Sequence, residues 1–173
     1  MVGEVRAING RNEQTSHCII DAQSVKNTDT AESKGYDAGK KISGIKRHLG
    51  VDTNGLPHAI HITTANVTDR KGALEMVDRY KNNLDQVVGT LVDGGYTGNK
   101  FAKAIKEKIG AEVTVAKRSE LHTFAVVPQR WVVERSYAWL EKCRRLWKNC
   151  ERHLETSRSM VVLAFIALLL RRF

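Results

Sequence analysis

Short apolar runs alternate along the chain with amphipathic segments, and this pattern predicts both strands and helices. Short, largely apolar runs, which are typical of buried strands, occupy residues 18–22, 87–92 and 111–116. Two further strand patterns, at 39–51 and 56–63, flank Asn54-Gly55. Because Asn and Gly tolerate the positive φ angles of a tight turn, this dipeptide predicts a hairpin. In the second of these strands Ile60 and Ile62 should face the side opposite Ala59.

Helical spacing predominates in the rest of the chain. Thr68 precedes one amphipathic segment as a predicted N-cap, and Gly110 ends another that begins at Asn99. A long helix is predicted over roughly 129–152, and a second over 155–171. Strands alternating with helices, and then two C-terminal helices, predict an α/β domain with a mixed sheet.

The two ends of the chain differ sharply in polarity. Residues 1–16 are polar and without periodicity, so we expect a flexible N-terminal tail there and one domain over 17–173. The run from Met160 to Leu170 is almost wholly apolar but has only 11 residues. A membrane-spanning helix needs ~20 residues, so this run is expected to pack on the core or on a partner chain.

Composition narrows the range of partners. The net charge is +9, and an excess of this size favours a polyanion such as nucleic acid, although it can also serve solubility alone. The three cysteines are an odd number without metal-ligand spacing, and no signal-peptide pattern is seen, which predicts a reducing, cytoplasmic setting. The six histidines show no zinc spacing either.

Three acidic residues are the main candidates for chemistry. Asp21 and Asp93 each follow a short buried-strand pattern, where α/β proteins often place their sites. Each could instead cap a turn. Glu134 lies in the predicted long helix, where it could equally be a solvated residue paired with Arg130. If the three converge, they suit two divalent ions of the kind that cleave phosphodiesters, with Mg²⁺ as the expected ion and Mn²⁺ as the alternative.

Basic residues suit the same polyanionic substrate. Residues 130–152 carry seven Lys or Arg against three acids, and a second basic group lies at 40–48. We expect these elements to neutralise DNA phosphates without reading bases. The predicted contacts are Lys40, Lys41, Lys46, Arg47, Arg130, Lys142, Arg145, Lys148 and Arg152. Of the three tryptophans, Trp147 is expected in the core, while Trp131 or Trp139 could stack on a base, though burial is the stronger expectation for both.

An ordered series of segments resembles the catalytic domain of bacterial insertion-sequence DDE transposases. The most distinctive are Asp93-Gly94-Gly95-Tyr96 and Arg130-Trp131-Val132-Val133-Glu134-Arg135. The remaining matching segments are 21–26, 35–41, 46–48, 51–55 and 65–70. The family's helix signature has a lysine seven residues after the glutamate; here that position is Glu141, and Lys142 follows it.

The resemblance implies a ribonuclease H-like fold and a metal-binding triad of Asp21, Asp93 and Glu134. It also implies cleavage of DNA at transposon ends, transfer of the 3′-hydroxyl into target DNA, and a homo-oligomer assembled on DNA. Two alternatives remain open: a catalytically inactive DNA-binding remnant that competes with the full transposase, and another ribonuclease H-like nuclease. The family usually carries an additional N-terminal helical region, so the chain resembles a second-frame or truncated product.

Overall fold

A mixed β-sheet forms the centre of the computed structural model, which describes residues 1–116 and 130–171. Within these residues the strands are β1 (His17–Lys26), β2 (Gly35–Asp37), β3 (Ile42–Val51), β4 (Pro57–Thr64), β5 (Gly89–Val92) and β6 (Glu112–Val115). Strand β3 pairs antiparallel with β1, with β4 and, at its start, with β2. On the other side β1, β5 and β6 run parallel. This is the predicted ribonuclease H-like arrangement.

Helices cover both faces of the sheet. They are α1 (Val2–Ile8), α2 (Asp69–Arg79), α3 (Asn99–Ile109), α4 (Arg130–Glu141) and α5 (Leu154–Leu170). Side chains alternate along β1, so Ile19 joins the apolar cluster beneath α4 and α5, whereas Cys18 and Ile20 join the cluster beneath α2 and α3. Each face of β1 therefore belongs to a different core layer.

Several local predictions are confirmed. The Thr68 hydroxyl accepts a hydrogen bond from the Lys71 amide at the start of α2, and Gly110 ends α3 with φ +74. In β4, Ala59 packs beneath α2 and α3 while Ile60 and Ile62 face the other cluster, as the alternation predicted. The β3–β4 turn forms, but only its glycine has a positive φ.

The long helix predicted over 129–152 is wrong in its second half, because α4 ends at Glu141. Residue Asn149 instead forms a parallel β-bridge with Asn27. The Asn149 amide donates to the Lys26 carbonyl at 2.8 Å, and the Thr28 amide donates to the Asn149 carbonyl at 2.9 Å. Tertiary hydrogen bonds thus replace the helical ones. As a result Trp147, expected in the core, is 67% exposed.

The N-terminal segment also differs from its prediction. Residues 2–8 form α1 where a flexible tail was expected, and Val5 and Arg6 are buried. The Arg6 guanidinium forms an ion pair with the fully buried carboxylate of Asp52 at the end of β3. One buried ionic contact therefore joins α1 to the β3–β4 turn.

Helix α5 buries one stripe of its apolar sequence. Val161, Phe165 and Leu169 follow helical i, i+4 spacing and are buried, which confirms the expected packing on the core. Leu163 and Leu170 remain exposed on other sides of the helix. Within the described parts of the chain, no helix combines the length and apolarity that crossing a membrane requires.

Candidate active site

The pairing of β1 with β5 places Asp21 beside Asp93. Strand register pairs Cys18 with Thr90 and Ile19 with Leu91. Continuing it by two residues sets Asp21 opposite Asp93, whose backbone is still extended at φ −82 and ψ 177. Adjacent strands lie about 4.8 Å apart, and residues two apart point to the same face. Both carboxylates therefore leave the sheet on the same side as Ile19, which is the side covered by α4.

Helix α4 packs directly over Asp21 and is hydrogen-bonded to the backbone there. Val133 lines one small cavity together with Asp21 and Asp93. One turn further along the helix, the buried Tyr137 hydroxyl lies 2.7 Å from the Asp21 carbonyl oxygen and 3.0 Å from that of Arg47. These contacts bridge β1 and β3 at the level of the site. They fix the backbone that carries the first carboxylate.

Glu134 lies on α4 between these two anchoring residues, and its side chain is exposed. Across residues 1–116 and 130–171, no three acidic, histidine or cysteine side chains are grouped closely enough to hold a metal ion. The structure thus brings Asp21 and Asp93 together and sets Glu134 on the helix above them without completing a cluster. Two adjacent carboxylates suit Mg²⁺, which binds through one or two carboxylates and keeps several waters.

A tight turn orients the Asp93 carboxylate. Its Oδ1 accepts a hydrogen bond from the Gly95 amide at 2.8 Å, which caps the single 3₁₀ turn Gly94–Tyr96. The Arg70 Nε, at the start of α2, donates to the Gly95 carbonyl at 2.9 Å. The turn that follows Asp93 is therefore held both by the acid itself and by a neighbouring helix.

Two tyrosines beside the acids were missed as site residues. Burial, and after it the charge of Asp21, raises the pKa of the Tyr137 hydroxyl well above its ordinary value. Burial also raises the pKa of Tyr96, with further contributions from Asp21, Asp69 and Asp93. Both phenols therefore stay neutral at physiological pH. Tyr137 follows Val133 at i, i+4, so helical spacing on the apolar stripe could have identified it.

A cleft of about 660 Å³ adjoins the site on the side of β2. Its lining includes Asp37, Lys40, Lys46, Asp69 and Gly95, the last from the turn after Asp93. Burial alone would raise the pKa of Asp37, but hydrogen bonds from Ser24 and the Lys40 amide, with the charge of Lys46, lower it to about 2. The cleft therefore mixes both signs of charge.

The structure corrects the predicted phosphate contacts of Lys46 and Arg47. Lys46 is buried, donates to the Val67 carbonyl at 2.8 Å and forms ion pairs with Asp37 and Asp69. Arg47 is only 2% exposed and donates to the Leu146 carbonyl at 2.7 Å. Burial lowers its pKa to about 10, so it remains a cation. Both cations are therefore buried and already have partners within the domain.

Six of the other predicted contacts are exposed or half-buried, and their roles stay predictions. Lys40, Lys41, Lys142, Arg145 and Arg152 are exposed, and Lys148 is half-buried. Arg145 pairs with Glu151 at 2.8 Å, and Arg152 pairs with Glu32. The side chain of Arg130 lies outside the described part of the chain.

Comparisons with known proteins agree with this geometry. Residues 12–170 match the family described as "Transposase DDE domain". The chain is also 34% identical over 119 residues to a "Putative transposase for insertion sequence element IS402" of Burkholderia cepacia. That alignment covers 65% of this chain and 56% of the relative, so the chain spans about half the length of the curated relative it matches. Because the family match includes nearly all of the described sheet and helices, the chain belongs to the DDE-domain transposase family.

Proposed function

We propose that this chain is the catalytic domain of a transposase that cuts DNA at transposon ends and joins the freed 3′-hydroxyl to target DNA. The observation that carries the proposal is the small cavity beneath α4 that Asp21 and Asp93 line together, just beyond the parallel pairing of Ile19 with Leu91. Membership of the DDE family supports it, since that family implies use of a divalent metal. The IS402 relative, which is named as a putative transposase, supports it too.

Asp21, Asp93 and Glu134 would hold the metal, with Mg²⁺ as the expected ion and Mn²⁺ as the alternative. When bound, two such ions activate the attacking oxygen and stabilise the leaving oxygen of a phosphodiester. The chain itself supplies orientation. Tyr137 holds the Asp21 backbone, and the turn after Asp93 fixes one oxygen of its carboxylate. Glu134 would complete the set from a separate element, α4.

DNA is the proposed partner, both as transposon ends and as target. The exposed cations Lys40, Lys41, Lys142, Arg145 and Arg152 would neutralise phosphates on either side of the acids, together with Lys148 and Arg130. A synaptic complex needs two transposon ends held at once, so a homo-oligomer on DNA is part of the proposal.

The test is cleavage and strand transfer of a transposon-end duplex in Mg²⁺. Asp93→Asn keeps the shape but removes the charge that attracts the metal. Because the carboxylates act as one site, Asp21→Asn, Asp93→Asn and Glu134→Gln should each abolish both steps and leave DNA binding intact.

The matched control is Glu141→Gln, which should remain active. Glu141 lies at the end of α4 and accepts a hydrogen bond from Gln23 at 2.8 Å, two residues beyond Asp21. If Glu134→Gln retains activity and Glu141→Gln does not, the third acid has been assigned to the wrong residue. An unaltered chain that binds transposon ends but never cuts them would instead favour the inactive remnant.

A further inference from the structure

A seven-residue loop follows α4, and we call residues 142–148 the basic loop. It contains four cationic residues, Lys142, Arg144, Arg145 and Lys148, and no acidic one. It also carries Trp147, whose 67% exposure is the highest of the three tryptophans. Most of the surface of Trp147 therefore lies outside the packing of the domain.

The basic loop is anchored from beneath at two places. Leu146 is buried, and its carbonyl accepts a hydrogen bond from the buried Arg47 guanidinium. Asn149, just after the loop, is buried and accepts a hydrogen bond from Ser157 at 2.7 Å in addition to its bridge with Asn27. Trp147 lies between these anchors and points outward. The Lys148 ammonium lies 4.9 Å from the centre of the indole ring.

The distance of the basic loop from the Asp21 carboxylate can be estimated along β1. The contact of Glu141 with Gln23 precedes it, and the bridge of Asn149 with Asn27 follows it. The loop therefore runs beside the part of β1 that is two to six residues beyond Asp21. At ~3.3 Å per residue this is roughly 7 to 20 Å. B-DNA advances ~3.4 Å per base pair, so the interval corresponds to about two to six base pairs.

We propose that the basic loop binds DNA next to the cleavage position and that Trp147 stacks there on an unpaired base. The cations would hold the phosphates on each side, and the indole would supply the aromatic face on which a base stacks. Lys148 strengthens this role, because its contact with the ring restrains the indole in its outward position. The absence of any acid within the loop favours a polyanion over a protein surface as the partner. The inference rests on DNA being the substrate, as proposed above.

The experiment measures binding of the full chain to two duplexes of the same length by fluorescence anisotropy. One duplex is fully paired, and the other has three unpaired bases that begin two positions from the expected cut. The unaltered chain should bind the second duplex more tightly. Trp147→Ala should weaken that binding roughly 5- to 150-fold, while binding to the paired duplex changes less than twofold. Trp147→Phe should keep most of the preference, because phenylalanine still offers a ring.

Trp131→Ala is the matched control, since Trp131 is the other tryptophan that is more than half exposed. Trp131 lies at the start of α4, outside the basic loop, and like Trp147 it has a cation beside its ring, the Arg135 guanidinium at 4.6 Å. The variant should keep the preference for unpaired bases. The inference is overturned if Trp131→Ala removes that preference, or if Trp147→Ala weakens both duplexes equally or neither. Failure of the chain to bind any DNA would overturn the proposed function as well. If the chain cleaves DNA but Trp147→Ala leaves binding to both duplexes unchanged, this inference alone is overturned.

Discussion

Replacing Arg6 with Met removes the cation that balances the buried Asp52 carboxylate. Asp52 is 0% exposed, and its Oδ1 accepts hydrogen bonds from the amides of Asn54 and Leu56 at 2.8 and 3.0 Å. Its Oδ2 faces Arg6, with the His58 Nε2 at 3.6 Å. Without the guanidinium, a negative charge stays buried with two amide donors and a histidine as its remaining partners.

The cost follows from the burial of both groups. Removing one partner of a buried ion pair typically costs ~3–5 kcal/mol, a large share of the ~5–15 kcal/mol that stabilises an ordinary domain. For a domain of this size each kcal/mol lowers the melting temperature by ~2–4 °C, so a fall of ~6–20 °C is expected. Arg6 also donates to the Asn12 carbonyl at 2.8 Å, and losing that bond places the result in the upper part of the range.

Thermal unfolding followed by circular dichroism measures this change. Lys106→Met is the control, because Lys106 pairs with Glu112 in full contact with solvent, and such exposed pairs contribute little to stability. The double variant Arg6→Met/Asp52→Asn should recover part of the loss, since it removes the unbalanced charge. Equal melting temperatures for Arg6→Met and Lys106→Met would refute the argument and leave α1 as the tail that the sequence predicted.

Three further outcomes are expected. A change from Gly to Ala ordinarily strengthens a helix by ~1 kcal/mol. Gly72→Ala should instead lower the denaturant midpoint of unfolding, because a Cβ at this position overlaps the buried His48 ring. Adding His48→Ala should reverse that loss. Burial lowers the pKa of His48 from 6.5 to about 3, so only the unfolded chain takes up its proton between those values. The free energy of unfolding should therefore fall as pH drops from about 6.5 to about 3, and His48→Gln should flatten that segment. Replacing both Lys148 and Arg152 with Gln should reduce the slope of log affinity against log salt concentration by about 1.8 on each of two unrelated duplexes. A changed sequence preference with an unchanged slope would contradict this prediction.

Local patterns in the sequence were enough to predict the sheet and the adjacent acids. Asp93 directly follows β5 as predicted, whereas Asp21 lies within β1, which continues to Lys26 instead of ending near residue 22. The caps at Thr68 and Gly110 are local as well, because each depends on hydrogen bonds or backbone angles within a few residues. Features decided by neighbouring residues were therefore accessible before the fold was known.

Features decided by distant partners were not accessible in this way. Arg47 was predicted at the surface and Trp147 in the core, and the structure has them the other way round. The reason lies in long-range contacts, since Arg47 donates to the Leu146 carbonyl across 99 residues of sequence and Asn149 forms a bridge with Asn27 where a helix was predicted. Likewise, the ion pair of Asp52 with Arg6 joins residues 46 apart, which no local pattern could predict.

The pairing of β1 with β5 would make the proposed catalysis sensitive to strand register. A slip of one residue would leave the composition unchanged but turn Asp93 to the opposite face of the sheet, among the apolar side chains beneath α2 and α3. A slip of two residues would restore the face but displace one carboxylate along the strand by ~6.6 Å, too far to share a metal with Asp21. If Asp21 and Asp93 act together as proposed, only one alignment of these strands gives an active enzyme, and the cleavage rate of a β5 variant would report how its strands are paired.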